Sequence, residues 1–510
     1  MTSRADSIDK AKSKHFDVCI IGGGITGAGI LNNAVQRGWN AVLIDKNDFA
    51  SGTSSRSSKM IHGGLRYLKM LQIGLVREAL LNREHLLLHY PNLVKPLAFI
   101  MPSYRSSIDL ALKAFVIRLY DSLAGSSFLQ KSKKLSAHEV AQHIPGFNHV
   151  GLKGGVLYWD GWTNDAMLTI HTLKAATAHD SVVLNYSEAK KFTRDGEEIT
   201  SLICTDKITK EEIAITATVY INATGVWADE ILKLSNNQAD VEMKPSKGVH
   251  IVVSNQKIAS EYVTLVKSGT SDKRYLYSFP WENNLTVLGS TDTEYSGSAD
   301  KLTISEGDVN YILNAFNKSF PSAKLTKNDI VSVYAGLRPM LDDKTEKGSY
   351  RRPREYRIWW SKPNLLNIAG GKLTSFLSMG ERCIKMAEQK LSLQDTPKRN
   401  SPSHGFNSLA ALYEILQEDA SLSKPLSNQF NVSAADIVLY TRYLFAEKVE
   451  DVLTRRTTIS YAMKEFDEAV VRETAQIMAK ELGRDDNWIN EQIEEYREHW
   501  KEYHPDFLNN

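Results

Sequence analysis

The feature that most constrains the fold is a glycine-rich turn between an apolar run and a helical segment near the start of the chain. The run FDVCII is apolar and rich in β-branched residues, as in a buried parallel strand. The turn that follows carries Gly22, Gly24 and Gly27 in the spacing G-x-G-x-x-G, and a second predicted strand ends at Asp45. An acid about twenty residues after the glycines completes the pattern of a dinucleotide-binding βαβ unit.

Each part of this pattern has a mechanical reason. The first glycine permits the tight turn, the second lets a pyrophosphate approach the backbone, and the third lets the helix pack close to the strand. The start of the helix offers free N–H groups and the positive end of its dipole to the phosphates. The carboxylate of Asp45 is expected to bind a ribose hydroxyl, and the alternative is a tight βαβ turn that binds nothing.

Two later segments favour FAD over NAD as the nucleotide. The run ATVYINATG ends in Thr224 and Gly225, a strand and turn like the one that closes over the nucleotide in large flavoproteins. The run LLNIAGGKLTSF is a predicted strand followed by Gly371, Lys372 and a helix that begins near Thr374. A helix N-terminus beside the flavin ring stabilises the negative charge that develops there on reduction.

Composition excludes several classes of protein. The 510 residues exceed the size at which one hydrophobic core stops growing, so two or three domains are expected. The formal charge of +2, without a long basic block, argues against nucleic acid as the main partner. The three cysteines lie far apart and form no C-x-x-C pair, which favours a reducing compartment and predicts no metal site. The polar leader does not read as a secretory signal, and no apolar run reaches the roughly eighteen residues of a membrane-spanning helix.

The order of patterns along the chain predicts interleaved domains. Strands such as GVHIVV and NLTVLGSTD alternate with turns, as in an antiparallel sheet, and amphipathic helices fill the last hundred or so residues after a stretch rich in Pro, Ser and Asn. We predict an FAD-binding domain within residues 15–390, formed by about 15–100, 145–240 and 355–390, interleaved with a substrate domain formed by about 100–145 and 241–354. A linker over 391–407 and a helical cap domain over 408–510 complete the prediction.

One helical segment, SIDLALKAFVIRLYDSLAG, allows two interpretations. It is apolar but carries the basic residues Lys113 and Arg118 and the aromatic residues Phe115 and Tyr120. Such a helix either belongs to the core or lies partly inserted in a membrane interface. The pattern alone favours the core.

Candidate catalytic and binding residues come from separate segments, and cations are frequent among them. A flavin enzyme that oxidises an alcohol needs a base for the hydroxyl proton and groups that fix the rest of the substrate, and guanidinium groups match phosphate oxygens bidentately. Each candidate also has a structural interpretation, because His250 stands in an apolar strand and Arg338 in an apolar setting that requires pairing. The candidates are Ser54, Ser55, Ser58, Lys59, His62, Arg66, Tyr67, His250, Thr291, Asp292, Arg338, Arg354, Arg357 and Lys372.

Several of these segments together resemble one family. IIGGGITGAGI, SGTSSRSSKMIHGGLRYL, KGVHIVV, LGSTDTEY, YAGLRPM and AGGKLTS occur in the order and form seen in the FAD-dependent, membrane-associated glycerol-3-phosphate dehydrogenases. The similarity covers residues 15–390, and VEDVLTRRTTISYAM resembles the helical cap of that family. The resemblance implies an α/β fold with a Rossmann-type FAD domain of the glutathione-reductase and amino-acid-oxidase kind, an antiparallel-sheet substrate domain and a C-terminal helical domain.

The resemblance also implies an activity and a set of residue roles. The family transfers a hydride from C2 of sn-glycerol 3-phosphate to N5 of non-covalently bound FAD, forming dihydroxyacetone phosphate, and passes the electrons to quinone. Position by position, His250 matches the base and Arg338 a second catalytic residue, while Arg357 has no clear counterpart. The implied substrate-binding residues are Arg66, Tyr67, Thr291, Arg354 and Lys372. The implied cofactor-binding residues are Gly22, Gly24, Gly27, Asp45, Ser54, Ser55, Ser58, Lys59, His62, Gly63, Thr224, Gly225, Gly371, Lys372, Leu373 and Thr374.

The expected partners follow from the same resemblance. They are glycerol 3-phosphate, the membrane quinone pool and a peripheral, monotopic contact with the inner face of the plasma membrane from the cytoplasm, and a homodimer is left open. The resemblance shifts the helical segment discussed above towards the interfacial interpretation. Alternatives are a glycerol-3-phosphate oxidase, a flavin enzyme for another small 2-hydroxy acid or a secondary amine, and a sensor or scaffold that binds the nucleotide without turnover.

Overall fold

Two large sheets and a helical C-terminal region make up the molecule. The computed structural model describes residues 3–125, 127–177, 181–236, 242–259, 261–270, 274–342, 356–391 and 406–508.

The elements are numbered here in chain order. The strands are β1 (His15–Ile21), β2 (Ala41–Ile44), β3 (Met60–Ile61), β4 (Val94–Ser103), β5 (Lys133–Leu135), β6 (Gly154–Thr163), β7 (Val182–Leu184), β8 (Ser187–Asp195), β9 (Glu198–Asp206), β10 (Glu212–Asn222), β11 (Ser246–Ser254), β12 (Val263–Lys267), β13 (Tyr275–Trp281), β14 (Leu285–Gly289), β15 (Thr293–Glu294), β16 (Ile330–Arg338), β17 (Tyr356–Lys362), β18 (Leu365–Gly370), β19 (Pro425–Ser427) and β20 (Phe430–Ser433). The α-helices are α1 (Arg4–Ser13), α2 (Ile25–Gln36), α3 (Leu65–Lys69), α4 (Ile73–His89), α5 (Ser107–Leu123), α6 (Ala137–His143), α7 (Asp165–Ala176), α8 (Ala228–Leu234), α9 (Glu306–Ser319), α10 (Phe376–Leu391), α11 (Ser408–Glu418), α12 (Ala434–Tyr443), α13 (Ile459–Ala462), α14 (Glu468–Leu482) and α15 (Asp486–Lys501).

The first sheet is the predicted nucleotide-binding layer. Its strands run in the order β17-β18-β10-β1-β2-β7, parallel from β18 to β7, with β17 antiparallel at the edge and the β8–β9 hairpin joined to β10. Successive side chains of β1 point to opposite faces, so Val18 and Ile20 pack under α2, α7 and α10 while Cys19 and Ile21 pack against the layer of α1 and the hairpin. Both faces are therefore covered, which explains the unbroken apolar run in the sequence.

The second sheet contains the candidate residues His250 and Arg338. Its strands run in the order β11-β14-β13-β12-β4-β6-β3, with β15 and β16 also paired to β11 and β5 to β6. All these pairs are antiparallel except β4 with β12. One face packs against α6 and α9 through residues such as Val249 and Ile251, so the intervening His250 points to the opposite face.

The predicted division into domains differs from the structure at two strands. β3, within the predicted FAD-binding segment 15–100, and β6, within 145–240, both belong to the second sheet, where β6 pairs with β3 and, along ten residues, with β4. The motif-based boundary missed this because strand pairing between β4 and β6 leaves no local mark in the sequence.

The C-terminal residues form a helical domain, as predicted. Helices α11 to α15 and the small β19–β20 hairpin surround a core that includes Val452, Val471 and Tyr496. Between α12 and α13 the chain makes a π-helical turn, Asp451–Arg456. Most of the predicted linker, 391–407, lies outside the described residues.

Helix α5 is apolar on two faces. One face consists of Leu110, Ala114, Ile117 and Tyr120, whose side chains are buried. The opposite face exposes an apolar row, made up of Ile108 (81% exposed), Leu112 (60%), Phe115 (65%) and Leu119 (41%). The helix therefore has one buried apolar face and one exposed apolar face, and the interfacial interpretation stays a prediction. Among the described residues, no helix has the length and apolar character needed to cross a bilayer.

Candidate functional site

A long cleft opens where the parallel strands of the first sheet end. Its lining comes from the loops after β1, β2, β10 and β18. Ligands of open α/β sheets bind at this carboxyl edge. The predicted residues that line the cleft are Gly22, Gly24, Asp45, Ser54, Thr224, Gly225, Gly371, Lys372 and Leu373.

The glycine turn leaves no room for side chains. A Cβ at Gly27 would lie 1.9 Å from the carbonyl oxygen of Gly22, and one at Gly22 would lie 2.6 Å from that of Ala223. Gly22 also has a φ of 112°, which favours glycine. The first turn of α2 consequently lines the cleft, and the Ser54 hydroxyl accepts a hydrogen bond from the Ile25 amide at 2.9 Å.

Asp45 directly follows β2 and lines the cleft. Its carboxylate accepts hydrogen bonds from the amides of Gly23 at 2.7 Å and Asn47 at 2.9 Å. Burial raises the pKa of Asp45 to about 6, although the two amides act in the opposite direction. The carboxylate retains lone pairs for a ribose hydroxyl, as its spacing from the glycines predicts.

The other end of the cleft is cationic. Lys372 follows β18, and its Nζ lies 3.8 Å from the centre of the Tyr67 ring. The Tyr67 hydroxyl accepts a hydrogen bond from Nη2 of Arg66 at 3.0 Å. Gly64, with a φ of 79°, precedes the short helix α3 that carries both residues. Two distant segments thus bring two positive charges and one aromatic ring together.

His250 lies on the face of the second sheet opposite α6 and α9. Its ring stacks on Tyr334 with the centres 4.5 Å apart, and its Nε2 is hydrogen bonded to the Ser58 hydroxyl at 3.0 Å. Its Nδ1 is buried and has no hydrogen-bond partner among the described residues. Burial, reinforced by the positive charges of Arg338 and Lys59, holds the pKa of His250 well below its usual value. The ring is therefore neutral near pH 7 and can accept a proton.

Arg338 lies on β16, beside β11, and points to the same face as His250. Its Nη2 donates to the Ser290 hydroxyl at 2.7 Å and to the Thr291 carbonyl at 3.1 Å. Its Nη1 donates to Ser246 at 3.2 Å and is 3.4 Å from an oxygen of Asp292. These contacts fix the guanidinium without enclosing it, since 18% of the side chain stays exposed.

A buried ion pair holds the serine-rich loop in place. Nζ of Lys59 donates to Asp165 at 2.6 Å and to the Ser55 carbonyl at 3.0 Å. The same carboxylate accepts from the amide and the hydroxyl of Ser57 at 3.0 and 2.6 Å. Asp165 was not among the predicted residues. Its only sequence signal is its position directly after the Asn164 cap of α7.

The IHGG segment is held on two sides. Thr374 Oγ1 accepts from the His62 amide at 2.9 Å and donates to the His62 carbonyl at 3.1 Å. On the other side, the amide of Gly63 donates to the hydroxyl of Tyr120 at 2.7 Å, and that hydroxyl donates to Asp160 at 3.0 Å. Asp160 in turn pairs with Arg83 at 2.5 Å. Sequence reasoning missed this chain of contacts, whose one signal is a pair of charges in otherwise apolar runs.

Comparison with known proteins shows the family. The family model described as FAD dependent oxidoreductase matches residues 17–381, and the one described as the C-terminal domain of alpha-glycerophosphate oxidase matches residues 401–488. A glycerol-3-phosphate dehydrogenase of Mycobacterium leprae is 32% identical over 96% of this chain and 88% of its own length. The chain belongs to the FAD-dependent glycerol-3-phosphate dehydrogenases.

Further members of this family show the same likeness. The mitochondrial glycerol-3-phosphate dehydrogenase of Macaca fascicularis is 30% identical, with 94% of this chain and 72% of the relative covered. The crystal structure of a glycerol-3-phosphate dehydrogenase from Bacillus halodurans complexed with FAD superposes with a TM-score of 0.76, at 26% identity and with 98% of both chains covered. The expectation of an FAD-dependent α/β oxidoreductase with a helical C-terminal domain is confirmed.

The cleft of this chain fits FAD. Cβ atoms at Gly22 and Gly27 of the turn would collide with the backbone, so the turn has the close approach that a pyrophosphate needs. The lining of the cleft includes both Asp45 and Lys372. The other predicted cofactor residues do not appear in the lining of the cleft; they are Gly27, Ser55, Ser58, Lys59, His62, Gly63 and Thr374. Their direct contact with FAD stays a prediction.

The remaining candidate substrate residues lie in different parts of the chain. The hydroxyl of Thr291 accepts from the Val249 amide at 2.9 Å, so it also fixes the end of β11. Arg354 lies outside the described residues. Arg357 is exposed on the edge strand β17 of the first sheet, with its guanidinium 5.9 Å from the centre of the Trp359 ring.

Proposed function

We propose that this chain oxidises sn-glycerol 3-phosphate to dihydroxyacetone phosphate and passes the electrons to a membrane quinone. The observation that carries the proposal is a set of cationic and polar side chains at and beside the FAD cleft. Lys372 lines the cleft and lies over the ring of Tyr67, which is hydrogen bonded to Arg66. Arg338 and His250 lie on the paired strands β16 and β11, and the residue that follows Arg338 also lines the cleft. The family membership of the chain supports the same substrate.

The positively charged side chains of the site favour a phosphorylated substrate over one with only a carboxylate. A phosphate dianion offers several oxygens to guanidinium and ammonium groups, and such hydrogen bonds are charge-assisted. The chain provides Arg66, Arg338 and Lys372 among the described residues, and Arg354 remains a predicted fourth. A 2-hydroxy acid needs fewer positive charges.

The chain also supplies a base for the C2 hydroxyl. His250 is neutral because its pKa lies well below the usual value. In the tautomer that carries the proton on Nε2, this nitrogen donates to the Ser58 hydroxyl, and the buried Nδ1 keeps a lone pair that no described residue uses. This hydrogen bond and the stack on Tyr334 fix the ring plane. Bound FAD supplies the hydride acceptor, so removal of the hydroxyl proton by His250 completes the oxidation of the alcohol.

The apolar face of α5 supports contact with the membrane, where quinone is dissolved. It exposes a row of apolar residues, and Leu71, shortly after α3, is another large apolar residue that is 81% exposed. Buried residues of α3, α4 and α5 form one hydrophobic cluster. Helix α5 therefore packs against α3, the helix that carries the predicted substrate-binding residues Arg66 and Tyr67. A peripheral position on the cytoplasmic side of the plasma membrane agrees with such a surface. The homodimer stays a prediction.

Anaerobic mixing with the substrate tests the reaction. Glycerol 3-phosphate is expected to bleach the visible absorbance of the bound flavin, whereas small 2-hydroxy acids and secondary amines are not. Absence of bleaching would contradict the proposed substrate. Mixing the reduced protein with a soluble quinone or with oxygen then identifies the acceptor. Fast peroxide formation and slow reaction with quinone would favour an oxidase.

Flotation with phospholipid vesicles tests the membrane contact. The double variant Leu112→Gln/Phe115→Gln should lose vesicle binding because it removes two large side chains from the exposed row. The control is Leu409→Gln/Tyr413→Gln, which changes two residues of similar exposure, 73% and 66%, on α11. Equal vesicle binding by both variants would contradict the assignment of the surface.

A further inference from the structure

The C-terminal helical domain reaches into the FAD-binding domain through two adjacent arginines. Nε of Arg455 donates to Asp48 at 2.5 Å, and Nη2 of Arg456 donates to the same carboxylate at 2.9 Å, with a further bond from its Nη1. All three side chains are buried, with at most 2% of each exposed. The contact joins positions about four hundred residues apart and lies outside the substrate site.

Asp48 belongs to a loop that lines the FAD cleft. The loop begins at Asp45, and its next residues, Lys46, Asn47 and Ala50, also line the cleft. The amide of Ala50 donates to the Gly23 carbonyl at 3.1 Å, so the loop is tied to the glycine turn. Displacement of this loop would change both the ribose-binding carboxylate and the turn that receives the pyrophosphate.

A second contact connects the same loop to the C-terminal domain. A Cβ at Gly23 would lie 2.4 Å from the ring of Phe49, which shows how closely that ring packs on the glycine turn. The same ring meets Phe445 edge to face, with the ring centres 5.4 Å apart. Asn185 completes the link, since its amide donates to Asp48 at 3.1 Å and to the Phe445 carbonyl at 2.9 Å.

The two arginines are themselves held in place. Arg455 also pairs with Glu450 at 2.6 Å and with Asp451 at 2.7 Å, and Asp451 accepts from the Tyr186 hydroxyl at 2.6 Å. Arg456 donates to the Leu444 carbonyl at 2.8 Å. The π-helical turn places both guanidinium groups towards Asp48. A guanidinium that lost Asp48 would stay buried with fewer partners, which is costly.

We propose that Arg455 and Arg456 are positioning residues for FAD, and that the C-terminal domain is part of the FAD-binding machinery. Through Asp48 they hold the 45–50 loop in the conformation that accepts the ribose and the pyrophosphate. Coupling between two sites is reciprocal, so bound FAD must also stabilise the packing of the 448–461 segment against the FAD-binding domain. This role is independent of the substrate and of the electron acceptor.

Titration of FAD into the apoprotein tests the proposal. Asp48→Asn keeps the shape of the side chain but removes its charge, and the dissociation constant for FAD should rise by about tenfold or more. Arg456→Lys keeps the charge but loses the two-pronged contact, so it should give an intermediate value. The matched control is Arg442→Gln, which removes the ion pairs of Arg442 with Glu418 and Glu481 within the C-terminal domain. Flavin fluorescence and circular dichroism report binding and folding separately.

Two results would overturn the proposal. One is an FAD affinity of folded Asp48→Asn equal to that of the unchanged chain; the other is an equal loss of affinity in Arg442→Gln. Hydrogen exchange of the unchanged chain decides the matter if Asp48→Asn does not fold. FAD should slow exchange in residues 448–461 and leave α9, on the far face of the second sheet, unaffected. Exchange in 448–461 that is the same with and without FAD would contradict the coupling.

Discussion

The two ends of the FAD cleft differ in the groups that form them, which are mainly backbone at one end and mainly side chains at the other. The part around the glycine turn, where the nucleotide is predicted to bind, is formed by backbone and glycines beside the carboxylate of Asp45, and its walls meet so closely that a single added carbon would collide. The predicted substrate end, beside the cleft, consists of charged and aromatic side chains from several segments, each held by neighbouring polar groups. The first end depends on the absence of atoms, whereas the second depends on the direction and charge of particular side chains. Substitutions at the first end should therefore reduce FAD binding, whereas those at the second should reduce activity while FAD stays bound.

The largest effect is expected at the glycine turn. Gly27→Ala should abolish FAD binding, because its Cβ would lie 1.9 Å from a backbone oxygen that cannot move without opening the turn. Purified protein should lack the visible flavin spectrum. Gly74→Ala is the control, since a Cβ there meets nothing within 4 Å. A holoprotein with normal flavin content for Gly27→Ala would contradict the close-packed description of this end.

The next largest effect is expected at the substrate end. Arg338→Ala should slow flavin reduction by glycerol 3-phosphate about one hundredfold, because the loss of charge-assisted bonds costs roughly 2 to 3 kcal/mol. FAD should stay bound, since Arg338 does not line the cleft. Anaerobic stopped-flow absorbance measures both quantities. The control is Arg357→Ala, whose side chain is exposed on β17, and an equal loss in both variants would remove the assigned role of Arg338.

A smaller effect is expected from the support of the IHGG segment. Tyr120→Phe leaves the Gly63 amide without its acceptor, and we expect kcat/KM to fall about tenfold at unchanged flavin content. Tyr104→Phe is the matched control, because its hydroxyl donates to the Asn148 carbonyl at 2.5 Å on the far side of the second sheet. Steady-state rates per bound flavin distinguish a positioning effect from partial unfolding. Equal rates for the two variants would show that the loop does not need this contact.

The smallest effect is a pH dependence at the end of the cleft where the nucleotide is predicted to bind. Asp45 has a pKa raised to about 6, so its carboxylate is charged at pH 7 and takes up a proton as the pH falls through that value. A charged acceptor binds a hydroxyl more strongly, and FAD affinity should weaken several-fold between about pH 7.5 and about pH 5. Asp45→Asn should bind FAD less tightly but with a flatter profile. A profile of the same shape in both proteins would exclude Asp45 as its source.

The same contrast explains what the sequence could predict. The cofactor end was predictable because strand, turn, helix and acid are contiguous, and the expected strands appear as β1, β2, β10 and β18. Arg66, His250, Arg338 and Lys372 could be named as candidates from their residue types, but their individual roles came only from the resemblance to a family, because no spacing rule joins them. The positions of His250 and Arg338 on the same face depend on the pairing of β11 with β16, which the sequence does not reveal.

Buried ionic contacts between distant segments were the least predictable part. Asp48 stands three positions after Asp45 in a loop of ordinary composition, and its arginine partners lie in another domain. Asp165 and Asp160 likewise have partners far along the chain, at Lys59 and Arg83. Charge in an apolar run signals that a partner exists, but it does not identify the partner. The same limitation placed β6 in the wrong domain.

The interleaving of the two sheets has a consequence for how the protein is made. The glycine turn leaves the ribosome early, but the opposite wall of the cleft, residues 370–373, is synthesised some 350 residues later. At ordinary rates of translation this interval is on the order of tens of seconds. During that time β10 lacks its partner β18, and FAD has only part of its binding cleft. Cofactor insertion is therefore a late event in biogenesis, and a nascent chain stalled before β18 would expose an unpaired strand edge to other chains.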